Sequence, residues 1–273
     1  MTRPLRRLRG FALACHAAPT IGVTGVMTVF AWSLGWSGAS LALLAVTILV
    51  GQLSVGWSND AYDSGLDARS ARVAKPTVAG DVSPRALWVA AFIALAAAIP
   101  LSVLVAGLLG GAFHLLALAM AWLYNLRLSR TAWSWLPYAV AFAAAPPFLT
   151  LGLDDRWPPL WMIAAFALIA VSAHLANALP DLAADRDAGL GGLAVHLGER
   201  TSTRLCWLLL TLGTGVVAAA MAERSLLVSV ALIAVLIGAA LVGRRLAGRA
   251  TAFNALLAVV ALDVVAIAIL PVL

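Results

Sequence analysis

Apolar runs long enough to cross a hydrocarbon core, about 17 to 25 residues each, recur near 11–34, 38–58, 86–107, 109–126, 132–152, 159–179, 203–221, 225–243 and 251–271. The polar segments between them are too short to hold a second folded unit. The pattern predicts an all-α integral membrane protein with one transmembrane domain over residues 1–273, a nine-helix bundle carrying a cytoplasmic cap of short helices and loops. The first run follows MTRPLRRLRG. It is too long for the hydrophobic region of a signal peptide and leads straight into further spans, so it is expected to be the first span.

Composition agrees, with 63% hydrophobic and 11% charged residues. Charge adds more. A net charge of +6 would suggest a nucleic-acid partner for a soluble protein. Here 16 of the 18 basic residues fall on one side of the span map if the arginine-rich N-terminus is cytoplasmic; only Arg156 and Arg224 fall on the other. The positive-inside rule explains that excess without nucleic acid. The expected arrangement is a multi-pass cell-membrane protein with a cytoplasmic N-terminus and the C-terminus on the opposite side. Cys15 and Cys206 lie in apolar runs without a ligand pattern and read as small core residues.

Acidic residues break the topological logic. Asp60, Asp63, Asp67 and Asp81 follow the second span, and Asp181, Asp185, Asp187 and Glu199 follow the sixth, all on the side reserved for base. Carboxylates contribute little to orientation, so topology did not place them. Asn59, Asp63 and Asp67 step by four residues, and so do Asn177, Asp181 and Asp185. On a helix each trio forms one stripe about 12 Å long. Carboxylates so spaced repel unless a cation lies between them, and donors that are all oxygen suit Mg2+, which completes its octahedron with water and phosphate oxygens. A single such cluster is equally well a solvated helix end; its repetition favours a diphosphate held between two metal-bearing segments. Basic residues follow each cluster: Arg69, Arg72 and Lys75 after the first, Arg186, Arg200 and Arg204 after the second. Guanidinium groups there would grip phosphate oxygens or anchor the membrane surface.

These residues resemble the UbiA superfamily of intramembrane prenyltransferases. The first motif of that family, NDxxDxxxD with a basic loop and a Pro-x3-Gly turn, is matched by Asn59, Asp60, Asp63, Asp67, Arg72, Lys75, Pro76 and Gly80. The second is matched by Asp181, Asp185, Arg186, Gly189, Leu193, Ala194, Leu197 and Gly198. The resemblance implies a Mg2+-dependent enzyme of UbiA fold, acting on an isoprenyl diphosphate that lies in a lipid-open tunnel. Asn59, Asp63, Asp67, Asp181 and Asp185 would hold metal, with the four aspartates, Arg72 and Tyr124 catalytic. Asn59, Asp60, Arg69, Lys75, Arg127, Arg130, Asn177 and Arg186 would bind substrate. Three departures stand out. Asn177 occupies a position where many members carry an acid. Leu190, Gly191 and Gly192 replace a basic residue after the second-motif glycine, which should weaken the grip on diphosphate. YNLRLSR offers Tyr124, Arg127 and Arg130 in place of a Tyr-x3-Lys element.

Gln52 and His174 lie on the same helical faces as Asn59 and Asn177 and extend the polar stripes inward as further substrate-binding candidates; a hydrogen bond to a neighbouring helix is the competing role for His174. Asp60, one step off its stripe, is expected to bind a neighbouring arginine. Asp263 falls near mid-membrane and either meets substrate or pairs across a helix contact. Trp57 and Trp122 are candidates for rings facing the tunnel. The acceptor would be aromatic or otherwise lipophilic. Two rivals remain: a UbiA-type terpene cyclase with no second substrate, and a divalent-cation transporter, which would place its acids nearer the bilayer centre.

Overall fold

The computed structural model describes residues 3–69 and 75–245, together with Val259 and Asp263; Arg3, Arg69 and residues 242–245 are described in their backbone alone. Arg72 and nearly all of the expected ninth span lie outside the described residues, and all regular structure within them is helical. Six units there are long and apolar enough to cross a membrane: Ala17–Leu34, Gly38–Ala68, Pro84–Leu128, Trp135–Asp154, Leu160–Ala178 and Glu199–Ala222. Six differs from nine for three reasons. The helix that begins at Leu226 is described with its side chains only as far as Leu241, residues 251–271 are not described as an element, and Pro84–Leu128 folds back on itself.

The fold-back lies in α4 (Pro84–Leu123), where Gly107 takes φ 67° and ψ −177°, a conformation open to glycine alone. In a straight helix Ser102 and His114 would be about 18 Å apart along the axis, yet Ser102 Oγ lies 2.7 Å from His114 Nδ1. The two limbs therefore pack side by side as a hairpin, and this one element covers the third and fourth expected spans.

The first expected span is divided instead into α1 (Arg3–Ala14) and α2 (Ala17–Leu34), with His16 between them at φ 54° and ψ 62°. Pro19 explains the break, since its ring would clash with the carbonyl of residue 15 in a continuous helix. The freed Cys15 carbonyl accepts from Thr20 Oγ1 at 2.6 Å. The fifth span is similarly divided into α5 (Trp135–Ala143) and α6 (Ala145–Asp154), where Pro146 and Pro147 open α6.

Helix α3 (Gly38–Arg69) is unbroken over 32 residues. It is about 48 Å long, which exceeds a hydrocarbon core of about 30 Å, so its last turns carry the first acidic stripe beyond the apolar layer. α3 packs along α4, α7 (Leu160–Ala178) lies between α5 and α10 (Glu199–Ala222), and α11 (Leu226–Arg245) covers α10. Phe30, Leu44, Phe148, Phe166 and Met221 fill the main core. The outer face is apolar, with Leu108, Leu160 and Leu227 about four-fifths exposed, as a protein solvated by lipid requires.

Candidate active site

Asn59, Asp63 and Asp67 all lie on α3, so the first stripe is a true helical face. Asp63 Oδ1 accepts from Arg130 Nη2 at 2.6 Å, and the Arg130 guanidinium lies 5.9 Å from the centroid of the Tyr62 ring. Asn59 Nδ2 donates to Asn125 Oδ1 at 3.3 Å; Asn125 in turn donates to Val55 O and Ser58 Oγ. Asn125 belongs to a π-helical turn, Tyr124–Leu128, at the end of α4. Asp67 is buried.

Asp60 points away from that face and is 1% exposed. Its Oδ1 accepts from Lys75 Nζ at 2.6 Å and from His16 Nε2 at 2.8 Å. Among the described residues its partners are a lysine and a histidine; the side chains of Arg69 and Arg72, the arginines nearest in sequence, lie outside the described residues. Lys75, expected to grip phosphate, is engaged by this carboxylate. His16 reaches Asp60 because the Cys15 backbone rests on Gly56, one turn earlier on α3. Arg6 ties α1 to the loop that precedes α4 through Asp81 at 3.0 Å.

The second stripe is not a continuous helix. Asn177 is in the last turn of α7, Asp181 lies between helices, and Asp185 is on α8 (Leu182–Asp187). Pro180 is the cause, because it has no N–H to donate and its ring would clash with the carbonyl of residue 176, although Leu179 before it keeps helical dihedrals. Asp181, Arg186 and Arg127 are exposed, and Asp185 is half-buried. The Leu190-Gly191-Gly192 departure has a structural counterpart. Gly191 rests on the Arg130 backbone so closely that a Cβ would lie 2.0 Å from Arg130 O. The loop after the second motif is thus seated on the turn that supplies Arg130 to the first.

Beneath them is a cavity of about 450 Å³, within the range of small-molecule sites. Asn59, Gln52, Tyr124, Asn125 and Asn177 line it together with His16, while Met27, Ile48, Phe142 and Phe148 supply apolar wall. The aromatic rings lining it are those of Tyr124, Tyr138, Phe142 and Phe148; Trp57 and Trp122 are not among them. Trp57 donates to Phe11 O, and Trp122 packs at a tilt against Trp88 and Phe92. His174 packs on Tyr138 and bonds Ser134 Oγ at 3.0 Å, the neighbouring-helix role. Asp263 accepts from Thr214 Oγ1 at 2.7 Å and is fully buried. It is paired across a helix contact.

Sequence reasoning missed His16 and Asn125. His16 has no motif around it and meets its partner 44 positions on. Asn125 stood inside YNLRLSR as a lone amide closing an apolar run, and that was its only signal.

The donors near the first motif are oxygens. Among the described residues no group of three or more His, Cys, Asp or Glu side chains forms a metal cage. Mg2+ needs none, because it takes one or two carboxylates and fills its sphere with water and phosphate oxygens. The donor chemistry fits that ion.

Several solved structures share the fold. One is described as giving structural and mechanistic insights into the biosynthesis of digeranylgeranylglyceryl phosphate synthase in membranes; it has a TM-score of 0.74 at 12% identity, with 97% of this chain and 99% of that one covered. A UbiA homolog from Archaeoglobus fulgidus, bound to GPP and Mg2+, has a TM-score of 0.71 at 17% identity over the whole of both chains. The apo UbiA homolog from Aeropyrum pernix K1 has a TM-score of 0.67 at 21% identity, with 92% and 97% covered. Comparison with curated proteins gives no match. The sequence profile of the UbiA prenyltransferase family matches residues 19–256, most of the 273-residue chain, and the protein belongs to that family.

Proposed function

We propose that the protein is a Mg2+-dependent intramembrane prenyltransferase that ionises an isoprenyl diphosphate and passes the prenyl group to a lipophilic acceptor. The observation that carries this reading is the two-ended cavity: amides and a phenol at one end, where Asn59 of the first stripe is the member that lines it, and apolar and aromatic side chains at the other. That gradient suits a molecule with an anionic head and a hydrocarbon tail. The A. fulgidus homolog bound to GPP and Mg2+ supports it.

Asn59, Asp63 and Asp67, with Asp181 and Asp185, would hold the metal, which when bound neutralises charge on the departing diphosphate. Arg130, half-exposed beside Asp63, is within reach of phosphate oxygens that the metal leaves free. As the carbon–oxygen bond breaks, its electron pair leaves with the diphosphate. The allylic cation that remains faces the Tyr124, Tyr138 and Phe142 rings, whose negative faces stabilise it. Capture by a nucleophile on the acceptor, followed by loss of a proton, completes the transfer. The head-group end and the N-terminus are assigned to the cytoplasmic side by the distribution of basic residues.

Diphosphate release by purified protein, with Mg2+ and a series of isoprenyl diphosphates, tests the reading. Release should stop with EDTA and return with Mg2+. It should fall by about 10²- to 10³-fold in Asp63→Ala and Asp181→Ala. Release that is indifferent to Mg2+ and to both substitutions would sink the proposal.

A further inference from the structure

One polar edge in the cavity is unused by the chemistry above. His114, on the second limb of α4, is 7% exposed and lines the cavity. Its ring stacks on Phe148, with centroids 4.7 Å apart and planes 18° apart. Nδ1 lies 2.7 Å from Ser102 Oγ on the first limb. The Ser102 hydroxyl has one proton, which it donates to Ala98 O at 2.5 Å. It must therefore accept from His114, so Nδ1 carries the ring proton and the neutral ring keeps its lone pair on Nε2. Nε2 has no partner among the described residues. It sits beside Gly51, where a Cβ would come within 3.3 Å of it, and the adjoining wall is apolar, with Ile48, Leu118 and Phe148.

An isoprenyl tail is hydrocarbon throughout and offers nothing to that lone pair. Seating only a tail there would desolvate an acceptor without replacing its hydrogen bond, a penalty that a hydroxyl or amine on the ligand removes. Gly51 lies eight residues before Asn59 on unbroken α3, about 12 Å farther into the apolar span. Whatever meets His114 is thus well separated from the carbon that loses diphosphate.

We propose that His114 Nε2 is a recognition point for the prenyl acceptor, which is an elongated lipophilic molecule carrying a hydroxyl or amine remote from the atom that is alkylated. The inference rests on the prenyltransferase reading and narrows it, because a cyclase with no second substrate brings no donor to this place. His114 holds and orients the acceptor. It does not take part in bond making.

The test uses full-length protein in detergent with Mg2+ and inorganic diphosphate, and as probes 4-octylphenol and its methyl ether, titrated by calorimetry. One hydrogen bond should make wild-type protein prefer the phenol about tenfold. The preference should fall to about one in His114→Phe, which keeps a stacking ring, and persist in part in His114→Gln, whose amide oxygen still accepts. If His114→Phe lacks a cooperative unfolding transition, Ser102→Ala serves instead: without the hydroxyl that accepts from Nδ1, the ring proton of His114 is free to move to Nε2, and the preference should again drop. Equal binding of both probes by wild type, as when water alone satisfies Nε2, overturns the proposal, and so does an unchanged ratio in the folded variant. Diphosphate release from geranylgeranyl diphosphate is measured on the same protein preparations with Mg2+ but without added diphosphate. A phenol preference without release marks failure of the enzymatic reading alone.

Discussion

The carbonyl of Cys15 rests on Gly56 so closely that a methyl group at position 56 would stand 2.4 Å from the oxygen. That contact holds the α1–α2 break against α3 and brings His16 to Asp60. Gly56→Ala must push the two backbones apart. Its expected cost is about 1 to 3 kcal/mol of stability, read as a lower unfolding midpoint in detergent, with weaker isoprenyl diphosphate binding. An unchanged midpoint would mean that the break moves freely and does not support Asp60.

Asp63 and Arg130 are paired at 2.6 Å but should fail differently. Arg130→Met removes a phosphate contact, and KM for isoprenyl diphosphate should rise about tenfold with a smaller fall in kcat. Asp63→Ala removes a metal ligand and should act mainly on kcat. Steady-state kinetics at saturating Mg2+ separate the two, and identical profiles would contradict these roles.

Gly191 tests the link between the motifs. Any side chain there collides with Arg130 O, so Gly191→Val should lift the second-motif loop from its seat. The expected result is a loss of diphosphate release of at least about tenfold, with the unfolding midpoint little changed because the loop lies outside the main core. Wild-type release would show that the seating has no functional weight.

Thr214 and Asp263 are a buried pair outside the cavity lining. Thr214→Val leaves the buried carboxyl without its donor and should cost about 1 to 3 kcal/mol, while Thr214→Ser restores the bond. Diphosphate release per folded molecule should be unchanged in both. A selective loss of turnover in Thr214→Val would move Asp263 into the substrate machinery.

What could be read in advance followed from periodicity. The first stripe was legible because α3 is continuous and a four-residue step on a helix is a spatial statement. The same step in Asn177, Asp181 and Asp185 misled, since Pro180 ends α7 and the three residues occupy a helix end, a turn and a new helix. Apolar length located the first span but concealed its division, although Pro19 was a visible breaker. The His16–Asp60 and Gly191–Arg130 contacts were illegible for another reason. Each joins segments far apart in sequence through backbone proximity, and no local pattern encodes which segment a glycine will admit.

The unbroken course of α3 from Gly51 through Asn59 to Asp67 has a consequence for sequence change. One rigid rod sets both the distance and the angular phase between the tail wall and the acids. A single inserted residue would swing the acids about 100° around the axis, and a whole turn would restore their bearing only by lifting them about 5 Å. Evolution can reshape this cavity by exchanging side chains, but along this helix it cannot do so by adding or removing residues.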